Sequence, residues 1–401
     1  MNRSLRLQIA AFTATRVVLN TMHRMVYPFL LTFGRGMGVD LAAMTLAVTT
    51  RSLVGASGPF LAFVADNHGR KVGMILGLGI FVLGVSLVIV WPSYPAFFLA
   101  LILTTLGKYV FDPAMQAYLG DRVAYERRGR VLAITELGWS LGFMLGVPLM
   151  GLLIARGGWT APFPVLALLT LAAIGILAWL VPRDAPHPGN QNGLWGNLRR
   201  VLTSPVAVTG LVMCLMLSTA NEMINLVFGA WMENSFGLKI AALGAASAVI
   251  GFAELGGEAL TAGITDRLGK ARAVAAGVML NCLAALALPF LGSSLVGAFI
   301  GLFLFYLTFE FAIVSSIPLM TEVFPPARAT LMASNQAAHS LGRALGALVT
   351  APLFALGQAS ASTPDILPSA LASAAFNLIG LLALYKLHAQ MTRRPAAERQ
   401  G

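Results

Sequence analysis

Charged side chains inside long apolar stretches are the most informative chemical feature of this sequence. Lys108 and Asp112 stand four residues apart, so on a helix they would share one face and could pair. Glu254 and Glu258 have the same spacing but like charge, and two close carboxylates rarely both ionise. A charge in hydrocarbon is costly and usually faces a partner or a water-filled path. The candidate substrate-binding and proton-coupling residues are therefore Arg16, Arg24, Arg51, Lys108, Asp112, Glu136, Glu222, Glu254, Glu258, Glu310 and Arg343.

The two halves of the chain carry opposite balances of these charges. The N-terminal half contributes four bases and two acids, and the C-terminal half contributes four acids and one base. We expect the bases to bind an anionic or zwitterionic group, or to pair with carboxylates between substrates. The alternative for each charge is a structural ion pair, and His23 and His339 are expected to be hydrogen-bonded packing residues. The residues that we expect to exchange a proton or to bind a cationic group are Asp112, Glu222, Glu254 and Glu258.

The elements that must position these side chains are long apolar helices. The chain has 401 residues, of which 57% are hydrophobic and 11% are charged, whereas about 25% of an ordinary soluble domain is charged. This composition excludes a soluble enzyme, a disordered chain and a disulfide scaffold, and Cys214 and Cys282 have no metal-binding spacing. A helix needs roughly 20 apolar residues to cross a bilayer. Twelve stretches qualify, at approximately 7–33, 41–64, 72–91, 95–119, 131–154, 162–181, 206–230, 240–264, 273–291, 295–320, 330–354 and 367–385.

The positions of Lys and Arg predict the orientation of the spans. The chain has 27 Lys+Arg and 16 Asp+Glu, for a net charge of +11. Most bases outside the spans fall in the termini and in the loops on the same side of the membrane, and only Arg35, Arg156 and Lys239 fall in loops on the other side. Cytoplasmic loops carry the excess of Lys and Arg, so both termini are expected in the cytoplasm. The basic balance is therefore a topology signal and does not indicate a nucleic-acid partner.

An offset of 200 residues aligns the two halves of the chain. The matching pairs are Asp66 with Asp266, Gly69 with Gly269, Arg128 with Arg328, Gly142 with Gly342, and Gly146 with Gly346. Six spans followed by a parallel copy of six is the repeat pattern of many secondary transporters. We therefore predict an all-α membrane fold of twelve transmembrane helices in two pseudo-symmetric six-helix bundles. The predicted divisions are an N-terminal bundle at 1–182, a cytoplasmic linker at 183–204 and a C-terminal bundle with a short tail at 205–401.

The loop between the second and third predicted spans carries the most specific motif. It reads AFVADNHGRK from Ala62 to Lys71, and its second copy reads AGITDRLGK from Ala262 to Lys270. Both copies are similar to the loop motif of the major facilitator superfamily, which is Gly, three residues, Asp, Arg or Lys, any residue, Gly, Arg, then Arg or Lys. Both depart from it with Ala at the Gly position, and the first has Asn67 in place of a base. The chain resembles this superfamily over nearly its whole length.

The resemblance implies that these loops take part in gating on the cytoplasmic side. The implied contacts are Asp66 with the helix that begins near Arg328, Arg70 with Asp121, and Asp266 with the start of span five near Arg130. Gly69 and Gly269 would supply the positive φ of each tight turn. The alternative is that both loops are only tight turns with solvated bases. The gating residues that the resemblance implies are Asp66, Gly69, Arg70, Lys71, Asp121, Arg128, Asp266, Arg267, Gly269 and Arg328.

The fifth predicted span has glycines every four residues from Gly138 to Gly146. Small residues at this spacing let helices pack closely, and packing is our preferred interpretation. The sequence around Pro148 and Gly151 also loosely resembles the glycine-rich motif of the drug-proton antiporter branch of the superfamily. The resemblance implies a secondary transporter of a small molecule that works by alternating access, with proton-coupled export favoured over uptake.

Three alternative functions are compatible with the same features. They are a metabolite uptake symporter or facilitator, a lipid or lysolipid flippase, and a non-transporting receptor built on a transporter fold. The sequence has no phosphate-binding loop and no hydrolase or zinc-protease motif, so it is not expected to be an enzyme. We expect no cofactor, a proton gradient as the energy source, and a monomer in a bacterial inner (plasma) membrane. The expected partners are a small-molecule substrate and the lipid bilayer.

Overall fold

Helices form all of the regular structure in the described part of the chain. The computed structural model describes residues 3–61, 69–123, 125–182, 191–359 and 365–392. The predicted all-α fold is confirmed. The helices are α1 (Arg3–Met25), α2 (Leu30–Met37), α3 (Leu41–Gly55), α4 (Gly58–Leu61), α5 (Arg70–Val90), α6 (Tyr94–Arg122), α7 (Tyr125–Leu141), a π turn (Gly142–Gly146), α8 (Val147–Gly157), α9 (Pro162–Leu180), α10 (Gln191–Thr203), α11 (Pro205–Asn225), α12 (Phe228–Phe236), α13 (Ile240–Leu268), α14 (Lys270–Leu291), α15 (Leu295–Val323), a 3-10 turn (Pro325–Ala327), α16 (Arg328–Ala359) and α17 (Leu367–Thr392).

Within the described residues, ten helical segments are long and apolar enough to cross a membrane. They coincide with the third to the twelfth predicted spans. One of them, Ile134–Gly157, runs from α7 through the π turn into α8, and another, Pro205–Phe236, joins α11 and α12. Their lengths, from 19 to 32 residues, suffice for the hydrocarbon core of a bilayer.

The first two predicted spans are not single helices. Stretch 7–33 is divided between α1 and α2, and stretch 41–64 contains α3 and α4. The axes of α2 and α3 differ by 114°. The breaks inside the two stretches are turns at 26–29 and 56–57. The change of direction between the stretches lies at Gly38, with a φ of +70°, and at Asp40, which caps α3 by accepting the backbone N–H of Ala43 at 2.8 Å.

The chain forms two compact units. Unit 1 comprises Met1–Gly189 with Gly237–Gly251, and unit 2 comprises Asn190–Phe236 with Phe252–Gly401. Residues 191–203 of the predicted linker form α10. The division at 183–204 stays a prediction.

Each unit contains a helical hairpin that begins at a glycine. Gly69 precedes α5 in unit 1 with a φ of +93°, and Gly269 precedes α14 in unit 2 with a φ of +83°. The positive φ predicted for both turns is confirmed. The second helix of each hairpin follows a serine cap, since Ser93 and Ser294 each accept the backbone N–H three residues further on. The repeat therefore extends to the backbone of both hairpins.

The glycines of the fifth span allow close packing against α1. A Cβ atom on Gly138 would lie 2.8 Å from the Cβ of Arg16, and one on Gly142 would lie 3.2 Å from the Cβ of Asn20. Unit 2 repeats this arrangement, because a Cβ on Gly342 would lie 2.9 Å from the Cβ of Ser218 in α11. The glycines thus bring the polar side chains of α1 and α11 directly against a neighbouring helix.

Candidate substrate-binding and proton-coupling site

Four of the predicted site residues form one ion-pair network in unit 1. Arg16 binds Glu136 through two parallel contacts, from Nη1 to Oε1 at 2.6 Å and from Nη2 to Oε2 at 2.8 Å. Its Nε lies 3.3 Å from Oδ1 of Asp112, and the other oxygen of Asp112 pairs with Lys108. The predicted pairing of Lys108 with Asp112 is confirmed. We name Arg16, Lys108, Asp112 and Glu136 the unit 1 charge network.

The unit 1 charge network is neutral and open at one end. Two cations and two carboxylates balance, and a bidentate pair between Arg and a carboxylate is a strong, oriented contact. The side chain of Arg16 is 5% exposed and that of Asp112 is 16% exposed, whereas that of Glu136 is 47% exposed. Glu136 also accepts a hydrogen bond from Gln116 at 3.4 Å. Glu136 is therefore the most exposed member of the network, and the other three side chains are little exposed.

Helix spacing explains why these four side chains meet. Lys108 and Asp112 lie one turn apart on α6, so a single face presents both groups. Gly138 permits α1 to approach α7 closely. Because Glu136 precedes Gly138 by two residues on α7, this approach brings Arg16 within reach of Glu136. Pro113 inside α6 removes one backbone N–H donor directly after Asp112. The contact of Glu136 with Arg16 agrees with the alternative of a structural ion pair, and the role of Glu136 in coupling stays a prediction.

The other two arginines of the set in unit 1 contact neutral groups. The guanidinium carbon of Arg24 lies 3.5 Å from the centre of the Phe143 ring and 4.3 Å from that of Trp139. Arg24 also donates to the carbonyl of Trp139 at 3.2 Å. Arg51 on α3 donates to the carbonyl of His23 at 2.8 Å and to the hydroxyl of Tyr27 at 2.9 Å.

Glu222 belongs to a buried polar chain in unit 2. The side-chain amide of Asn225 donates to Oε2 of Glu222 at 3.2 Å, and the hydroxyl of Tyr306 donates to Oδ1 of Asn225 at 2.9 Å. Glu222 is fully buried, and a Cβ on Gly346 would lie 2.5 Å from its Cβ. Sequence reasoning missed Asn225 and Tyr306. The contact of Asn225 with Glu222 could have been predicted, because residues three apart on a helix are neighbours on its surface.

Glu254 and Glu258 lie one turn apart on α13, with a third carboxylate close to the same helix. Glu254 is buried and Glu258 is half-buried. The Cβ of Glu310 on α15 lies 2.7 Å from the position that a Cβ on Gly257 would take, so Glu310 packs against α13 between the other two positions. In the described part of the chain, no group of three His, Cys, Asp or Glu side chains is placed to hold a metal ion.

Arg343 and His339 lie on the buried face of α16. Arg343 donates to the hydroxyl of Ser340 at 3.0 Å. His339 is buried, with Nδ1 at 2.7 Å from Oγ of Ser218 and Nε2 at 3.3 Å from the amide nitrogen of Asn335. The prediction that His339 is a hydrogen-bonded packing residue is confirmed.

The structure confirms one of the predicted loop contacts. Nε of Arg70 lies 3.5 Å from Oδ2 of Asp121. Lys71 donates to the carbonyl of Ala178 at 2.6 Å, and Arg328 donates to the carbonyl of Thr321 at 2.9 Å. Sequence reasoning missed the pair of Lys270 with Glu322. The offset of 200 residues maps Arg70 onto Lys270 but Asp121 onto Thr321, one residue before Glu322.

Several predicted gating contacts stay predictions. Asp66 and the side chain of Arg128 lie outside the described residues. Asp266 and Arg267 are exposed at the end of α13.

Comparison with known proteins shows a relationship over most of the chain. The sequence model of the Major Facilitator Superfamily matches residues 13–347. The chain is 27% identical over 300 residues to the MFS-type transporter YceJ of Bacillus subtilis, covering 73% of this chain and 74% of that one. It is 24% identical over 341 residues to the MFS-type transporter YwfA of the same organism, covering 82% and 81%.

Solved structures show the same fold. The chain aligns with a bacterial homologue of the human lysosomal transporter Spinster at a TM-score of 0.76, over 97% of this chain and 98% of that one. The two sequences are 15% identical in this alignment, so this likeness concerns the fold alone.

Proposed function

Because the chain belongs to the Major Facilitator Superfamily, we propose that this membrane transporter exports a small molecule in exchange for protons by alternating access. The chain is an integral membrane protein and not an enzyme. The observation that carries the proposal is the unit 1 charge network. In it the little-exposed carboxylate of Asp112 pairs with Arg16 and Lys108, and the half-exposed carboxylate of Glu136 pairs with Arg16. We also propose that the protein is a monomer of a bacterial inner membrane with both termini in the cytoplasm.

The network supplies a simple way to link proton binding to a change of contacts. Two unit charges about 4 Å apart attract by about 4 kcal/mol at an effective dielectric constant of about 20. A proton on Asp112 would remove its attraction for both Arg16 and Lys108. Arg16 would then be held by Glu136 alone, and Lys108 would be released for other partners. Protonation would therefore change the contacts that hold α1, α6 and α7 together, and substrate binding would be coupled to it if it favours one of the two sets of contacts.

The direction of transport is proposed from the fifth span. Its glycines around Pro148 are similar to the motif of drug-proton antiporters, and they pack directly on neighbouring helices. Gly138 and Gly142 pack on α1, and Gly151 packs on α13. A Cβ on Gly151 would lie 3.2 Å from the Cα of Gly244 on α13. An uptake symporter could use the same charge network, so the direction of proton movement distinguishes the two.

Neutralising Asp112 is expected to abolish coupling. Inside-out vesicles with an acidic lumen would be supplied with a panel of lipophilic cations, amphipathic drugs and organic anions, while a fluorescent pH probe reports proton release. We expect at least one class to evoke release from vesicles with the unmodified protein. In Asp112→Asn the rate should fall by about tenfold or more, because the shielded carboxylate can no longer exchange a proton.

Asp40→Asn is the matched control for this experiment. It makes the same chemical change at the exposed cap of α3, where Asn caps a helix as well as Asp does. Equal proton release in Asp112→Asn and Asp40→Asn would contradict the coupling role of Asp112. Substrate-evoked proton movement in the opposite direction would instead support uptake by symport.

A further inference from the structure

We propose that unit 1 binds an aromatic carboxylate at Asn20, Arg24 and Arg51, next to the rings of Trp139 and Phe143. This inference rests on the proposed function, because it names the class of substrate that the transporter carries. It comes from two buried side chains that carry polar atoms without a hydrogen-bond partner, Asn20 and the Nε of Arg51, and from the aromatic rings beside them.

Asn20 is the first of these groups. It is fully buried on α1, and neither Oδ1 nor Nδ2 of its side chain has a hydrogen-bond partner in the part of the chain that the structure describes. Its neighbours behave differently, since the hydroxyls of Thr15 and Thr21 both donate to backbone carbonyls one turn earlier. Buried amide groups in proteins are nearly always paired, so an unpaired one indicates a missing ligand or water.

Arg51 is the second group. Its side chain is 1% exposed and contacts a carbonyl, a phenol hydroxyl and an aromatic ring. Its Nε has no acceptor, and among the described residues no carboxylate lies within ion-pair distance of it. A buried cation whose contacts are all neutral is costly, and an anion would stabilise it. The two carboxylates of the unit 1 charge network are already shared by Arg16 and Lys108.

One stretch of α1 links the two groups. Asn20 precedes Arg24 by one helical turn, so both lie on the same face of α1. Arg51 reaches the carbonyl of His23, the residue before Arg24. The Arg24 guanidinium lies against the rings of Phe143 and Trp139.

Each part of an aromatic carboxylate has a matching group in this stretch. The Nε–H of Arg51 and the amide N–H of Asn20 would donate to the carboxylate oxygens, and charge-assisted bonds of this kind are strong. The guanidinium of Arg24, which lies against the buried ring of Phe143, adds positive charge. The half-buried ring of Trp139 suits an aromatic body. Oδ1 of Asn20 would accept from a hydroxyl or amino substituent on the same molecule.

Binding of 2-naphthoate to the purified full-length protein in detergent micelles tests the proposal. Isothermal titration calorimetry would compare it with 2-naphthamide, which has the same ring system but no charge. We expect 2-naphthamide to bind about tenfold more weakly, since it loses the charge-assisted contacts. Arg51→Gln should weaken 2-naphthoate binding by a similar factor, whereas Arg156→Gln, an exposed arginine at the end of α8, should leave it unchanged.

Asn20→Leu keeps the test decisive if Arg51→Gln does not fold. Leucine has a similar volume and removes the unpaired amide, so this variant should melt at or above the temperature of the unmodified protein and still bind 2-naphthoate several-fold more weakly. A lower melting temperature with unchanged binding would show that Asn20 is structural and would overturn its role. Equal affinity for the two naphthalene probes, or no binding of either, would overturn the proposal as a whole.

The outcomes separate this proposal from the proposed function. Selective binding of 2-naphthoate in micelles without proton movement in vesicles supports the site and contradicts proton coupling. Proton release evoked only by lipophilic cations, with no 2-naphthoate binding, supports proton coupling and contradicts the site.

Discussion

Replacing Arg16 by Gln is expected to destabilise the protein by about 3 kcal/mol and to abolish coupled transport. The substitution leaves Asp112 and Glu136 with Lys108 as the remaining cation of the network. Removing one partner of a buried ion pair costs about 3–5 kcal/mol, because the other charge stays buried. We take the lower end of this range, since the side chain of Glu136 is 47% exposed and therefore only partly desolvated. Thermal unfolding of the purified protein measures the loss.

A second substitution separates stability from coupling. In Arg16→Gln combined with Glu136→Gln, one cation and one carboxylate remain, so the network is neutral again. We expect the double variant to regain most of the lost stability while proton release stays absent. If the double variant loses as much stability as Arg16→Gln and Glu136→Gln lose together when measured singly, the two residues do not interact energetically.

Introducing Val at Gly107 is expected to cause a large loss of folded protein. A Cβ on Gly107 would lie 2.5 Å from the carbonyl oxygen of Gly77 and 2.9 Å from the backbone nitrogen of Phe81. Both contacts are with backbone, so no side chain can move aside and α5 must separate from α6. Overpacking of this kind typically costs about 1–3 kcal/mol, and the upper end applies where two backbones are in contact. Size-exclusion chromatography after graded heating measures the fraction that stays monodisperse.

Gly79→Val is the matched control for Gly107→Val. Gly79 lies on α5, and a Cβ there would have no neighbour within 4 Å. This variant should keep the elution profile and melting temperature of the unmodified protein. If Gly79→Val and Gly107→Val lose the same fraction of folded protein, helix propensity rather than the α5–α6 contact is responsible.

Hydropathy and the repeat predicted most of the fold. The apolar length of the third to twelfth spans corresponds directly to single helical segments, because in lipid a helix satisfies its own backbone hydrogen bonds. The first two spans were wrong as continuous helices. A window of apolar residues does not register a short break, and turns at 26–29 and 56–57 interrupt the helices inside these two stretches. Pro28 lies in the first turn and has no backbone N–H to donate to a helix.

The candidate site was partly predictable. Spacing on one helix gave the pair of Lys108 with Asp112, whereas the partner of Arg16 depends on how α1 and α7 are rotated toward each other. Spacing carries no information on that rotation. The contact of Asn225 with Tyr306 was missed for a related reason, since neutral polar residues are common in apolar spans and only their partners distinguish them.

The low hydropathy of α1 has a consequence for biosynthesis. This helix is absent from the described segments that are apolar enough to cross a membrane alone, and it carries Arg16, Asn20 and Arg24. Each arginine at the centre of a span costs about 2.5–3.5 kcal/mol on insertion. Glu136 follows Arg16 by 120 residues, so at about 5–20 residues per second the ribosome needs roughly 6–24 s to supply it. We therefore expect α1 to enter the bilayer fully only after α6 and α7 have been made, because they carry the partners of Arg16.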